Sequence, residues 1–293
     1  MSQLIKDFIS DGKKTFKQQM RQLITGDIPK NLYDSMAYSL FAGGKRLRPI
    51  LLFASFKSYG EQIEKTYRTA TALEMIHTYS LIHDDLPAMD DDEYRRGMLT
   101  NHKKFDESTA ILAGDALLTF SFELIGDDAL LSDVEKVYVI KSLAQASGPE
   151  GMVAGQILDI EGETKELTLE QLERVHLLKT GKLISFAVDA GAYLAGATEE
   201  QRHYLRQFSH YLGLIFQVQD DILDVIGDPE KLGKPVGSDS ENEKSTYPNL
   251  LGLEGAQKKM KEYEEKALVA LHKSGAQHHY LQELLSHFGN REY

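Results

Sequence analysis

Two aspartate clusters lie far apart in the chain: DDLPAMDDD from Asp84 to Asp92, and QDDILD from Gln219 to Asp224. Each sits inside or at the end of an apolar segment, where a carboxylate is costly unless something positive compensates it. The chain has no cysteine. These carboxylates therefore offer oxygen ligands for a hard cation such as magnesium. Basic residues accompany the clusters, most visibly Arg95 and Arg96. Carboxylates, magnesium and arginines together point to a phosphate or diphosphate substrate.

Asp220 and Asp224 are four apart, so they share a helix face, and Gln217 extends that stripe. Like charges at this spacing destabilise a helix unless a cation intervenes. Phe216, Val218, Ile222, Leu223 and Val225 are apolar, which suits a central helix of a bundle better than a solvated face. Asp84 and Asp85 close the run Tyr79 to His83, and carboxylates at a helix C-terminus oppose the macrodipole. Pro87 folds the chain so that Asp90 can return toward Asp84. A plain acidic loop accounts for Asp91 and Asp92, not for Asp84 and Asp85. GGKRLRP, Gly43 to Pro49, sets three cations around a glycine pair and a helix start, an arrangement suited to an anion. His77 lies two turns before Asp84 on roughly the same face. Lys179, Thr180, Lys234 and Lys244 carry no signal when read singly. No GxxxxGK[ST] and no GxGxxG occurs, which removes P-loop and dinucleotide-binding folds.

The elements that must position these residues read as consecutive helices. Met1 to Leu23 is amphipathic, with Leu4, Ile5, Phe8 and Ile9 on one stripe. A second helix starts near Pro29 and stops at Gly43-Gly44. Pro49 opens a third, closed by Gly60. Ile63 to Asp85 is one long helix ended by Leu86-Pro87, because the residue before proline avoids helical angles. Further helices are expected over Ser108 to Leu124, Asp133 to Ala146, Met152 to Glu161, Leu169 to Leu194 and Glu199 to Val225. Gly181 and Gly191 are weak spots in the fourth of these. Gly227 to Pro248 reads as a loop over a site. Leu250 to Phe288 is helical again, interrupted near Gly275. The expectation is one all-α domain over residues 1–293.

Composition agrees with that class. The chain has 293 residues, 42% hydrophobic and 27% charged, with seven prolines. The net charge of −12 argues against general binding of nucleic acid or anionic membrane. An anionic ligand must then be attracted by local cations and metal. Without cysteine there are no disulfides, thiol catalysis or zinc–thiolate sites. The N-terminal stretch has no long apolar run before its charges, and no uninterrupted run of ~18 apolar residues occurs anywhere. A cytoplasmic protein with no signal peptide and no membrane span is expected.

Taken together, these residues resemble the trans-isoprenyl diphosphate synthases, and most closely those of the bacterial farnesyl diphosphate type. The motifs occur in the family's order: GGKRLRP, DDLPAMD followed by Arg95-Arg96-Gly97, GQILD at Gly155 to Asp159, KTG at Lys179 to Gly181, DDILD, and LGKPVGSD at Leu232 to Asp239. The resemblance implies a bundle of long helices around a deep central cavity, the isoprenoid synthase fold, as a homodimer. It implies that Asp84 and Asp90 hold two magnesium ions and Asp220 a third, with Asp85, Asp221 and Asp224 as supporting carboxylates. Lys45, Arg48, His77 and Arg96 match the positions that hold isopentenyl diphosphate. Arg95, Lys179, Thr180, Gln217, Lys234 and Lys244 match those around the allylic diphosphate. Lys179, Thr180 and Gln217 also carry the oxygen dipoles that face the allylic cation. Tyr79, with the small Ser80 beside it, matches the position that limits product length. The chain departs from the family pattern at its C-terminus, where Arg291 is the one basic residue in Asn290 to Tyr293.

The implied activity is head-to-tail condensation of dimethylallyl and then geranyl diphosphate with isopentenyl diphosphate, giving farnesyl diphosphate. Three other readings share parts of the pattern. A terpene cyclase needs no second diphosphate site, which leaves Lys45, Arg48 and Arg96 without a role. A non-catalytic subunit tends to lose an aspartate cluster, and both are intact here. A geranylgeranyl or longer-chain synthase differs only in product length.

Overall fold

The computed structural model describes residues 2–163, 165–226, 245–277 and 279–289. It is all-α apart from one minimal hairpin. The helices are α1 (Gln3–Leu23), α2 (Lys30–Leu40), α3 (Leu47–Lys57), α4 (Tyr67–Asp84), α5 (Asn101–Lys104), α6 (Glu107–Gly126), α7 (Asp133–Ser147), α8 (Met152–Gly162), α9 (Leu169–His176), α10 (Lys182–Leu194), α11 (Glu199–Ile226), α12 (Tyr247–Ser274) and α13 (Tyr280–Gly289). The hairpin pairs β1 (Tyr94–Arg95) with β2 (Met98–Leu99).

The chain resolves into two compact units. One comprises Met1–Lys6, Ala54–Glu61 and Ser142–Tyr293; the other comprises Asp7–Phe53 and Gln62–Lys141. In the second unit α4 is the axis, packed against α6 and α2. Its residues from Thr69 to Ile76 are all buried, so it has no solvent face, as a central helix must. Phe16, Met20, Met36, Ile50, Leu51, Leu73 and Leu117 complete that core. In the first unit α11 is the axis, against α12, α10, α9 and α13. Phe208, Leu212, Ile215, Tyr247, Leu284 and Phe288 form its core. Arg202 clamps α11 to α10 through paired bonds to Asp189 of 3.2 and 2.9 Å.

Local chemistry explains the boundaries. Thr168 with Gln171, and Thr198 with Gln201, form reciprocal side-chain and backbone bonds that start α9 and α11. Asp106 accepts from the Thr109 N–H at 2.8 Å and starts α6. Gly275, at φ 66°, ends α12 in the left-handed conformation that glycine accepts without strain.

Several expected helices are modified. Ile63 to Asp85 is not continuous: Ile63–Thr66 is a 3-10 turn, and the α-helix begins at Tyr67. Leu169 to Leu194 is interrupted by a π segment, Leu177–Gly181, which contains Lys179 and Thr180. α12 starts at Tyr247 rather than Leu250, and Gly252 departs from helical angles within it. The β1–β2 hairpin and α5 carried no sequence signal. The expected site-covering loop lies mostly at 227–244, so Lys234, Lys244 and the LGKPVGSD motif fall outside the described residues, as does Arg291. Among the described residues α6 alone is long and apolar enough to cross a membrane, by length and composition. It buries Ala110, Ala113, Gly114 and Leu117 against protein instead.

Candidate active site

The first aspartate cluster occupies the end of α4. Asp84 is its last residue and Asp85 caps it; both are buried, at 8% and 3% exposure. The loop that follows folds back, and the Asp90 N–H donates to the Asp84 carbonyl at 2.9 Å. The return of Asp90 that Pro87 suggests is thus made by the backbone. Burial pushes the Asp85 carboxyl up to about 6, against the opposing pull of Arg95, whose Nε donates to Asp85 Oδ1 at 2.6 Å.

Arg95 and Arg96 are placed by the hairpin. Arg96 and Gly97 occupy its two turn positions, and both have positive φ, 55° and 73°. A two-residue hairpin turn of this hand demands that conformation, which glycine supplies freely and arginine does not. The turn splits the pair: Arg95 runs to Asp85, while Arg96 Nη1 reaches the Gly43 carbonyl at 2.6 Å. A Cβ on Gly44 would lie 2.7 Å from the Arg96 guanidinium carbon, so Gly44 of GGKRLRP leaves the space that guanidinium occupies. Lys45 is exposed beside it.

Arg48 and His77 lie within the same charge cluster. Burial brings Arg48 down to about 10, with Glu74 opposing the shift. Its Nε is buried without a hydrogen-bond partner. Burial first, then the charges of Arg48, Arg96, Arg46 and Arg95, hold His77 well below its ordinary value, so its ring is neutral near pH 7. The Glu74 carboxylate, 2% exposed, offsets Arg48 and also pairs with Arg46. An unpartnered guanidinium donor amid several cations is the arrangement an anion completes. Glu74 and Arg46 were not assigned from sequence. The signal available for Glu74 was a lone charge inside the apolar run of α4.

Tyr79, five residues before Asp84, is buried at 6% exposure and meets His83 edge-on at 5.7 Å. Burial, with the Asp84 charge, pushes its hydroxyl up to about 12. Ser80 turns away, donating to the His77 carbonyl at 2.9 Å.

The second cluster stands on α11 in the other unit. Asp221 and Asp224 are buried and Asp220 is partly exposed. Asp221 Oδ2 accepts the Tyr247 N–H at 2.9 Å, which ties it to the start of α12. Lys179 and Thr180 sit on the π segment, a widened turn of the kind that recurs at functional sites. Two glycines admit that segment. A Cβ on Gly155 of α8 would lie 2.2 Å from the Lys179 nitrogen, and one on Gly213 of α11 would lie 2.9 Å from the Gly181 Cα. Lys179 Nζ donates to Asp159 Oδ2 at 2.6 Å. A cavity of about 240 Å³ opens here, and Lys179, Thr180, Gln217, Asp221, Asp159 and His176 all line it. Lys179, Thr180 and Gln217, predicted from motifs 37 or more residues apart, are thus brought together. A wider groove of about 950 Å³ in the same unit is lined by none of the predicted site residues.

Asp159 and His176 were also missed. Asp159 belongs to GQILD, and its spacing gave no hint that it would partner Lys179. His176 Nδ1 lies 3.4 Å from Gln217 Nε2, its Nε2 lies 3.9 Å from Asp221 Oδ2, and its ring stacks on Tyr247 at 14°. Burial lowers its pKa to about 4, with Asp159 opposing.

The donor set fits magnesium. Among the described residues no three His, Asp or Glu side chains assemble a closed metal cage. Magnesium commonly takes one or two carboxylates and completes its octahedron with water and substrate phosphate, which a buried Asp84, an exposed Asp90 and a partly exposed Asp220 permit.

Residues 29–285 match the family model described as polyprenyl synthetase. The chain is 51% identical over 263 residues to a farnesyl diphosphate synthase of Bacillus subtilis, covering 89% of each chain. It is 49% identical to that of Geobacillus stearothermophilus, covering 95% of this chain and 92% of the relative. The fold matches a geranyltransferase of Helicobacter pylori, solved in complex with magnesium and isoprenyl diphosphate, with TM-score 0.85 and 37% identity, covering 98% and 97% of the two chains. With that family model matched over most of its length and relatives of about 50% identity, this chain belongs to the polyprenyl synthetase family.

Proposed function

We propose that this chain is a magnesium-dependent prenyltransferase that adds isopentenyl diphosphate, head to tail, to dimethylallyl and then geranyl diphosphate, giving farnesyl diphosphate. The reading is carried by the cation cluster around His77, where the buried Arg48 Nε has no partner. A diphosphate supplies the missing acceptors. The relatives of about 50% identity support the same chemistry.

Arg48, Arg96, Lys45 and neutral His77 would hold isopentenyl diphosphate. Arg95, Lys179, Lys234 and Lys244 would hold the allylic diphosphate. The barrier to ionising an allylic diphosphate is charge separation, and preorganised cations at the leaving group lower it. Magnesium on Asp84, Asp90 and Asp220, when bound, supplies further positive charge against the departing diphosphate. Thr180 and Gln217 would turn oxygen dipoles to the allylic cation, and apolar surroundings would keep water from quenching it. The isopentenyl double bond attacks the cation, and the released diphosphate can take the final proton. Three magnesium ions, a cytoplasmic location and a homodimer complete the proposal. The dimer is supported by exposed apolar side chains on α6 and α7, namely Ile111, Leu112, Val134 and Val137.

Incubation with isopentenyl diphosphate, dimethylallyl diphosphate and magnesium, with products sized by chromatography, tests the reading. A fifteen-carbon diphosphate is expected. A cyclic hydrocarbon, or no consumption of isopentenyl diphosphate, would overturn it; a twenty-carbon product would place the chain with the longer-chain synthases.

A further inference from the structure

We propose that His176 is a positioning residue for the allylic cation: its ring nitrogen Nδ1 accepts an N–H of the Gln217 amide, and so presents Gln217 Oε1, not the NH2 group, to the cation. The inference rests on the function proposed above.

The hydrogens follow from the surroundings. His176 Nε2 is buried, and the carboxylate oxygen Asp221 Oδ2 lies 3.9 Å from it. A proton on Nε2 faces that negative oxygen favourably, whereas a bare lone pair there would be repelled. The neutral ring carries one proton, so placing it on Nε2 leaves Nδ1 as the acceptor. The partner of Nδ1, 3.4 Å away, must then donate, and on Gln217 only the NH2 can.

Two contacts hold the ring in this orientation. It lies parallel to Tyr247 at 5.9 Å, and the same Asp221 oxygen also accepts the Tyr247 N–H. His176, Gln217, Lys179 and Thr180 line one cavity. With its nitrogen committed to His176, the Gln217 amide has its oxygen left for that cavity. An amide turned the other way would place a positive N–H edge against a cation. The chemistry recognised is a delocalised hydrocarbon cation beside a diphosphate.

His176→Phe keeps a flat ring against Tyr247 and removes the acceptor. His176→Asn keeps an acceptor oxygen near the place of Nδ1. Each variant, and the wild type, is assayed for turnover. Each is also titrated calorimetrically, in magnesium, with two unreactive ligands: a prenyl ammonium analogue of the cation with inorganic diphosphate, and an allylic thiolodiphosphate. In His176→Phe, kcat and affinity for the ammonium analogue should each fall by at least ~10-fold, below the 10²–10³ typical of deleting a whole stabilising dipole. Thiolodiphosphate affinity and both Michaelis constants should stay within about twofold, and His176→Asn should recover most of the loss. Adding His176→Phe to Gln217→Leu should cost nothing further, because the two act as one unit. Equal loss of both ligands would assign His176 a structural role and overturn the inference, as would unchanged kcat. A wild type that consumes no allylic diphosphate would instead overturn the proposed function, and is seen before any variant is compared.

Discussion

The backbone N–H of Asp90 donates to the carbonyl oxygen of Asp84 at 2.9 Å. That bond closes the loop containing Pro87 onto the end of α4. Its consequence is electrostatic. A helix end is negative, and Asp84 and Asp85 add buried carboxylates to it. Arg95 offsets part of this charge at Asp85, and a bound cation would offset more without dismantling the loop.

Metal dependence should therefore depend on both clusters. Asp84→Ala or Asp220→Ala should lower turnover by ~10²-fold or more while the helical circular dichroism is unchanged. Turnover near wild type in either variant, persisting with a chelator, would refute the assignment.

Substrate binding should separate by residue. Losing one charged hydrogen bond costs about 1.5–3 kcal/mol. Arg48→Ala should raise the Michaelis constant mainly for isopentenyl diphosphate, and Lys179→Ala mainly for the allylic partner. Initial-rate kinetics with each substrate varied in turn will show whether the effects cross over, which would dissolve the two-site assignment.

Product length should respond to Tyr79. It lies five residues from Asp84, about 7.5 Å along α4, and is packed against His83. Tyr79→Ala should extend products from fifteen carbons toward twenty or more with magnesium dependence unchanged. A folded, active variant still stopping at fifteen carbons would move the stop to another residue.

Gly155→Ala should damage both stability and activity. Its Cβ would meet the backbone nitrogen of Lys179, which no side-chain rotation relieves. Over-packing of this kind costs about 1–3 kcal/mol, and here the displaced backbone carries Lys179 and Thr180. Thermal melts and kcat should fall together; an unaffected kcat would show that the π segment tolerates displacement.

Buried His176 should make stability sensitive to acid. Its folded pKa, about 4, lies below the unfolded value of about 6.5. The unfolded chain thus binds the extra proton, and this contribution is complete above pH ~6.5 and lost as pH falls toward 4. Between pH 7.5 and 5 the wild type should lose on the order of 2 kcal/mol more than His176→Phe, as chemical denaturation at the two pH values will measure. Parallel pH dependence would mean the ring is protonated in the folded state.

The sequence by itself determined the all-α class, most helix boundaries and the two aspartate clusters, and it nominated the candidate site residues. Periodicity and caps are local, and a carboxylate in an apolar run needs compensation wherever it folds. It could not determine what a residue meets at long range. The π segment at Lys179 exists because Gly155 and Gly213 let backbones approach, which no spacing along α9 and α10 reveals. The opposite aims of Arg95 and Arg96 came from a hairpin too short for a periodic signal. Glu74, Asp159 and His176 gained their roles from Arg46, Lys179 and Gln217, partners 20 to 41 residues away. Those pairings are products of packing. Burial, which sets their protonation and their strength, is decided only when the helices have closed around them.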